Sequence, residues 1–418
     1  MLIIPFRQLS YLLVSSVLCA LCAGVVVPTS YAQVLDHAPP YGDCSIAYWS
    51  SNRNLDDRSA ITSALCFANW RLALGENARL SFNARAQTSD SYLQGRVREG
   101  YWEQGVGALS LRIGRQIIAW GRADRINPTD VLSPRDFRLL SGDDDDQRNG
   151  IDAIQLRYAV TPAISAIVVA ARFGAHQLPQ GSLPANIGRG SEPHRAEWAA
   201  KVDHVGSGLD WSVFVYDGFD RFARFRFALG GAGAQIVRGD YERLKVIGAD
   251  IASASASWTW RAEFSHARSS LVCETCPQSQ RGITRFVAGL DHDLIGTLNM
   301  NLQLYGAHRR TSGVIAPIAI PIAVTDGLSR LNNDYAAVEA GMALRISDRL
   351  LNDKLKWELS VTRDFKGRST LWRPRLSYGL NDYFKVSVGA DHFVGKQQSY
   401  FGSLKKNSLH YIALSAGF

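Results

Sequence analysis

The chain contains few lysines and little total charge. Of its 418 residues 20% are charged and 46% hydrophobic, and only 9 of the 46 basic residues are Lys, which leaves 37 Arg and a formal net charge of +8. The hydrophobic content excludes a disordered chain. Arg binds carboxylate, phosphate or sulfate with a planar, two-pronged donor set. The excess of Arg therefore favours an anion-binding protein, although GC-rich codon usage would produce the same bias.

Sequence motifs of common enzymes are also absent. We find no GxSxG, HExxH, phosphate-loop or dinucleotide signature. The histidines His266, His292, His308, His392 and His410 are scattered without a partner motif. We interpret them as girdle or lumen residues, and expect no enzymatic activity, no cofactor and no nucleic-acid partner. An outer-membrane enzyme acting on lipid with a Ser/His or Asp/His pair is the remaining enzymatic alternative.

No metal is expected either. The run Asp143 to Asp146 is interpreted as solvated or paired with lumenal arginines, although four carboxylates would also suit a divalent cation.

Long apolar runs are limited to one, near the start of the chain. Arg7 precedes the apolar stretch 11–27, and Ser30-Tyr31-Ala32 supplies the small residues that a signal peptidase reads. We interpret residues 1–32 as a signal peptide cleaved before Gln33. An uncleaved anchor helix is the alternative, because the run is longer than a typical signal.

Four cysteines follow this segment. In an exported chain they are expected to form two disulfides, Cys44 with Cys66 and Cys273 with Cys276. Cys273 and Cys276 alone could be half a zinc site or a redox motif, but no second ligand pair completes either.

From residue 78 onward the hydrophobic period is two. Leu298, Met300, Leu302 and Leu304, for example, alternate with polar residues, which is typical of strands with one apolar face. The segments run to roughly 10–13 residues, longer than soluble strands, and short connections alternate with long ones. This pattern predicts an all-β, transmembrane, antiparallel up-and-down β-barrel.

Counting back from the C-terminus gives about 16 strands for a barrel over 78–418. Residues 33–77 are then a periplasmic or lumen-plugging segment. Alternatively they form a first hairpin, which makes 18 strands.

Two motifs resemble known outer-membrane proteins. The final strand ends in Phe418 with Ala416, Leu414 and Ile412 on the same face, and it resembles the C-terminal strand that the barrel-assembly machinery recognises. Residues 113–131, with GRQ, WG and INPTDV, resemble an uncharacterised family of proteobacterial outer-membrane porin-like barrels. The resemblance implies a porin-like barrel in the cell outer membrane and names no substrate.

The segment 119–148 is long for an irregular loop, so it is expected to be functional or disordered. Its prolines and pairable charges favour an ordered loop that folds into the lumen and forms a constriction. The alternative is that the charges only attach the loop to the barrel wall. The candidate substrate or constriction residues are Arg112, Arg115, Arg122, Asp124, Arg125, Asp130, Arg135 and Asp136.

The sequence thus predicts a porin-like channel for passive diffusion of small polar solutes, anionic because of the basic lumen. The alternative is a pore that exports an acidic polysaccharide. The expected partners are outer-membrane lipid and lipopolysaccharide, the barrel-assembly machinery, and a small anionic solute. A homotrimer is one possible oligomeric form.

Overall fold

The computed structural model of the chain describes residues 39–51, 58–89, 92–178, 187–189, 192–229, 235–269, 280–311, 332 and 336–418. The predicted signal peptide 1–32 and the pair Cys273 and Cys276 lie outside these residues. No helix in the described ranges is long and apolar enough to cross a membrane.

Strands dominate the described residues. They are β1 (Tyr41–Ser51), β2 (Ala60–Ala73), β3 (Ala78–Ser89), β4 (Tyr92–Val106), β5 (Leu109–Gln116), β6 (Ile151–Ala159), β7 (Ile164–Ala171), β8 (Ile187–Arg189), β9 (Glu197–His204), β10 (Leu209–Phe219), β11 (Arg224–Leu229), β12 (Gln235–Asp240), β13 (Arg243–Ser255), β14 (Trp258–Ser269), β15 (Gln280–Ile295), β16 (Leu298–Thr311), β17 (Val338–Leu350), β18 (Leu355–Asp364), β19 (Ser369–Gly379), β20 (Phe384–Val394) and β21 (Leu409–Gly417). Helical turns are short: 3-10 turns at Asp144–Gln147 and Lys405–Asn407, and α1 (Tyr400–Ser403).

Eighteen of these strands form one closed antiparallel barrel, and β8, β11 and β12 form a separate small sheet. Each barrel strand pairs with the next barrel strand along the chain, and β1 pairs with β21, for example Ile46 with Leu414. The predicted barrel is confirmed, with the alternative count of 18 strands. The 16-strand count is wrong because β1 and β2, within residues 33–77, are wall strands rather than a plug.

Connections differ between the two ends of the barrel. At the end that holds both termini, the turns are 74–77, 107–108, 160–163, 205–208, 256–257, 296–297, 351–354 and 380–383. The opposite end, called here the long-loop end, carries the connection 117–150 between β5 and β6. Two connections at that end are also short, 90–91 and 365–368. Apart from these two, the alternation of short and long connections follows the sequence prediction.

The two faces of the wall differ in polarity. Outward positions carry large exposed apolar side chains, as at Ile154 and Val215, while inward positions include buried polar ones, as at Gln303 and Asp250. One part of the interior is apolar instead, where Trp120 and Leu132 pack with Val169. Residues 117–150 therefore contribute directly to the buried core of the barrel.

The predicted Cys44–Cys66 disulfide is present. It joins directly opposed residues of β1 and β2, with a Cα–Cα distance of 4.0 Å. The bond lies on the outward face of the first hairpin, since the inward neighbours Ala47 and Leu65 are buried.

Candidate functional site

Residues 117–150, called here the inner loop, contact inward-facing side chains around the barrel. Asp136 pairs with Arg85 of β3 at 2.9 Å, while Arg122 pairs with Asp203 of β9 at 3.0 Å and with Asp250 of β13. Since β3 and β13 lie far apart in the ring of 18 strands, the loop reaches across the lumen. The prediction that this segment enters the lumen agrees with these contacts.

The conformation of the loop depends on one wall carboxylate. Glu263 of β14 accepts hydrogen bonds from the backbone N–H groups of Arg122 and Ala123 at 2.6 and 2.5 Å. Its second oxygen accepts from the hydroxyl of Thr129 at 2.8 Å. Glu263 is 3% exposed, so its charge is compensated by these donors and not by water.

The WG and INPTDV motifs form the turn that binds Glu263. Gly121 has φ +97, and a Cβ there would lie 2.5 Å or less from Thr129, Asn127 and Glu263. Only glycine fits this position. Asn127 Oδ1 accepts from the backbone N–H and the hydroxyl of Thr129, which closes the turn. Trp120 packs edge-on against Phe214, with ring centroids 5.3 Å apart. The motif residues therefore position the loop.

The predicted loop charges are paired with the wall or with each other. Arg125 donates to Glu358 of β18 at 2.7 Å, and Asp124 accepts from Arg261 of β14 at 3.3 Å. Asp130 receives Arg148 at 2.9 Å and Arg135 at 3.6 Å. The structure thus brings together six of the eight predicted residues. Four of them pair with the wall, as in the alternative in which the charges attach the loop to the wall, while Asp130 and Arg135 pair within the loop.

The acidic run also takes part in this pairing. Asp144 lies between the loop and the wall, where it accepts from Arg373 of β19 at 2.8 Å. Burial raises the pKa of this carboxyl, but Arg373 and Arg375 outweigh burial and hold it below its ordinary value. Burial raises the pKa of Asp146 to about 6, because its hydroxyl partner Ser141 and the more distant Arg98 compensate it only weakly. The described residues contain no cluster of three or more side chains able to hold a metal ion.

Two of the predicted residues lie elsewhere. Arg112 faces the lumen near the short-turn end, where it binds Glu103 at 2.9 Å and stacks over Tyr101. Arg115 was predicted to line the constriction, and this is wrong. It lies on the outward side of β5, three residues after Arg112, and pairs with Asp152 at 2.8 Å. Strand parity explains the difference, since residues an odd number apart face opposite sides.

Several wall residues of the site were not identified from the sequence. Asp250, Glu358 and Gln303 contact the loop but were not among the candidates; Gln303 accepts from the N–H groups of Arg125 and Ile126 at 3.4 and 3.3 Å. Their inward parity was readable, but the loop that they contact is far away in sequence. Only the three-dimensional placement of the loop selects them.

Four arginines converge beside the loop, and we call them the arginine cluster: Arg125, Arg345, Arg373 and Arg375. Arg345 lies directly opposite Ser360, which is in turn opposite Arg373, while Arg375 lies opposite Glu358. Arg345 reaches Asp124 and Asp291 only at 3.9 and 3.8 Å. Arg375 has a buried Nε without a hydrogen-bond partner and makes no ion pair among the described residues. The cluster therefore retains guanidinium N–H groups that have no acceptor among the described residues.

The histidines noted in the sequence do not form such a site. His266, His292, His308, His392 and His410 alternate with inward residues and lie on the outward face. His292 stacks on Trp258 with ring centroids 3.8 Å apart, as expected for a girdle residue. Within the described ranges, none of the five faces a lumenal acid.

No family model matches the chain, and no curated protein matches it. Solved structures do. Pseudomonas aeruginosa OccK5 (OpdH) superposes with a TM-score of 0.55 at 9% identity, covering 91% of this chain and 96% of that one. Pseudomonas aeruginosa OccK2 (OpdF), solved in complex with glucuronate, gives 0.54 at 11% identity over 91% and 97%. OmpTdeltaL8, from an outer membrane protein of Vibrio cholerae, gives 0.50 at 8% identity over 92% and 100%.

This chain has the fold of an outer-membrane porin. In a porin fold the outward apolar positions face lipid, the inward polar positions line a lumen, and a sheet in lipid must close because its edge groups find no other partners. In this fold the inner loop and the arginine cluster lie on the lumenal side of the wall.

Proposed function

We propose that this protein is an outer-membrane channel through which small anionic solutes diffuse, with the inner loop narrowing the lumen. The arginine cluster is the observation that carries the proposal. Guanidinium groups in a lumen with low-dielectric walls attract anions and focus the field along the path. Arg375 and Arg345 lack close carboxylate partners among the described residues, so a passing carboxylate can replace water there.

The solved structures support the same choice. OccK2 was crystallised with glucuronate, a small carboxylate, and shares this fold. We extend only the chemical class to the present chain: a small solute with at least one carboxylate. The fixed inner loop favours such solutes over the alternative of exporting an acidic polysaccharide, because a polymer would have to thread past a loop attached on several sides of the lumen. Lipopolysaccharide contact, the barrel-assembly machinery and a homotrimer stay predictions.

A planar-bilayer measurement tests the proposal. We expect the refolded protein to conduct steadily, with a reversal potential in a KCl gradient that indicates anion selectivity. Replacing Arg345→Gln together with Arg375→Gln should lower the ratio of anion to cation permeability by at least about twofold, because two lumenal charges are removed.

The matched control removes two outward-facing arginines, Arg115→Gln with Arg363→Gln, and should leave the ratio unchanged. Absence of conductance would overturn the channel. Cation selectivity, or an equal effect of both double variants, would overturn the role of the arginine cluster.

A further inference from the structure

Three basic side chains form a row on the outer wall. Lys245 of β13 lies directly opposite Arg268 of β14, and Arg268 lies opposite Gly282 of β15. Gly282 in turn lies opposite Arg310 of β16. All three basic residues are exposed and share the outward face with Ile247. We call them the outer basic row.

The outer basic row lies at the long-loop end of an apolar surface. Two residues along each strand, away from the long-loop end, His266, Thr284 and His308 occupy the same outward face. His266 contacts the Thr284 hydroxyl at 2.9 Å. Beyond them the outward positions are apolar, including Phe264 and Phe286, which are 44% and 53% exposed. The basic groups therefore sit where the hydrocarbon-facing band ends, at the level of lipid head groups.

This arrangement places like charges side by side. Adjacent strands are about 4.8 Å apart, and like charges directly opposite one another are destabilising. Within the described residues none of the three makes an ion pair. The acid nearest in register, Asp217 opposite Lys245, is already bound to Arg243 at 2.6 Å. The described part of the chain thus supplies no counter-ion for this positive charge.

We propose that Lys245, Arg268 and Arg310 bind the phosphate groups of an anionic lipid in the leaflet on the long-loop side. Phosphate suits these donors, since Arg binds it with two parallel hydrogen bonds and Lys as a point charge. The strands of Arg268 and Arg310 are two strand spacings apart, or about 10 Å. Gly282 lies between them and carries no side chain, which leaves space on the wall for a phosphate group. The acyl chains of the same lipid lie along the apolar rows beneath. This site is on the outer wall and is independent of what crosses the lumen.

The test compares two lipids that differ only in phosphate. Refolded protein in dodecyl maltoside is titrated with diphosphorylated lipid A and with the same lipid after removal of its phosphates, and bound lipid is counted by native mass spectrometry. We expect preference for the phosphorylated lipid. In the triple variant Lys245→Gln, Arg268→Gln, Arg310→Gln, affinity for it should fall about 100-fold, with about fivefold for each single variant.

The matched control removes three basic side chains from the lumenal face: Arg157→Gln, Lys356→Gln, Lys385→Gln. It should keep the preference, because these groups cannot reach lipid. Equal binding of both lipids by the wild type overturns the proposal, as does loss of preference in both triple variants, which would reflect net charge alone. If the outer triple variant does not refold, the single variants decide in the same way. Conductance plays no part in this readout, so its outcome is separate from that of the channel proposal.

Discussion

Thr129 of the inner loop and Glu263 of β14 are joined by two hydrogen bonds across 134 residues of sequence, from the hydroxyl at 2.8 Å and the backbone N–H at 3.3 Å. Both residues are buried, with exposures of 0% and 3%. The same carboxylate receives the N–H groups of Arg122 and Ala123. A single side chain of the wall therefore orients both ends of the turn that carries Arg125 into the lumen.

Replacing Glu263→Ala should release this turn. The N–H groups of Arg122 and Ala123 lose their acceptor, while Thr129 keeps only Asn127. Each buried unsatisfied donor costs about 1–3 kcal/mol. We expect a clear drop in the unfolding temperature and a larger, noisier single-channel conductance. Glu263→Gln retains one acceptor oxygen and should show a smaller effect on both. If Glu263→Ala conducts like the wild type, the inner loop does not set the width of the lumen.

Arg122 and Arg115 should differ in their effect on selectivity. Arg122→Ser removes the lumenal cation that compensates Asp203 and Asp250, so we expect the reversal potential in a salt gradient to move toward cation selectivity. Arg115→Ser removes an outward charge paired with Asp152 and should leave it unchanged. A shift of similar size in both variants would mean that Arg115 contributes to the lumenal field after all.

Asp146 should make selectivity depend on pH. Burial raises its pKa from 3.8 to about 6, so the carboxyl is neutral at pH 5 and gains a negative charge as the pH rises to 7. Anion preference should therefore be larger at pH 5. The folding free energy depends on the same group. Because the pKa of Asp146 is raised in the folded state, its contribution to the free energy of unfolding is fully present below pH 3.8 and is lost as the pH rises through about 6.

Reversal potentials between pH 5 and 7 check this, with Asp146→Asn fixed at the low-pH value. The exposed neighbour Asp145→Asn is the control and should retain the pH step. A step that persists in Asp146→Asn would assign it to another group.

The Cys44–Cys66 bond should stabilise the first hairpin. It closes a loop with a sequence separation of 22, for which chain entropy gives about 3 kcal/mol. We expect the double variant Cys44→Ser, Cys66→Ser to fold but to unfold at lower temperature, measured by the loss of the compact band on unheated gels. Reductant should lower the unfolding temperature of the wild type but should have no such effect on the double variant. An unchanged midpoint would show that barrel closure alone determines the stability of β1 and β2.

The barrel class was predictable because period-two alternation persists over most strands. The strand count was harder to predict, as β1 shows. Its inward residues Ala47 and Trp49 are apolar because they pack against Leu140 and Tyr411. The alternation of apolar and polar residues is therefore weak in this strand. The entry of the loop into the lumen was predicted from its prolines and charges. Its wall partners were not, because Glu358 is 233 residues from Arg125 and no local pattern links them. The orientation of Arg115 was readable from parity alone.

The pairing of β1 with β21 also determines when this wall can be completed. Gly42 and Phe418 exchange both backbone hydrogen bonds at 3.0 Å, although almost the whole chain separates them. Contacts between such distant segments form late, since closing a long loop is entropically unfavourable until other pairings shorten it. Until this seam forms, both edge strands expose unpaired N–H and C=O groups. The partly folded chain is therefore the species most prone to aggregation. Pairing of β1 with β21 removes both exposed edges and closes the barrel.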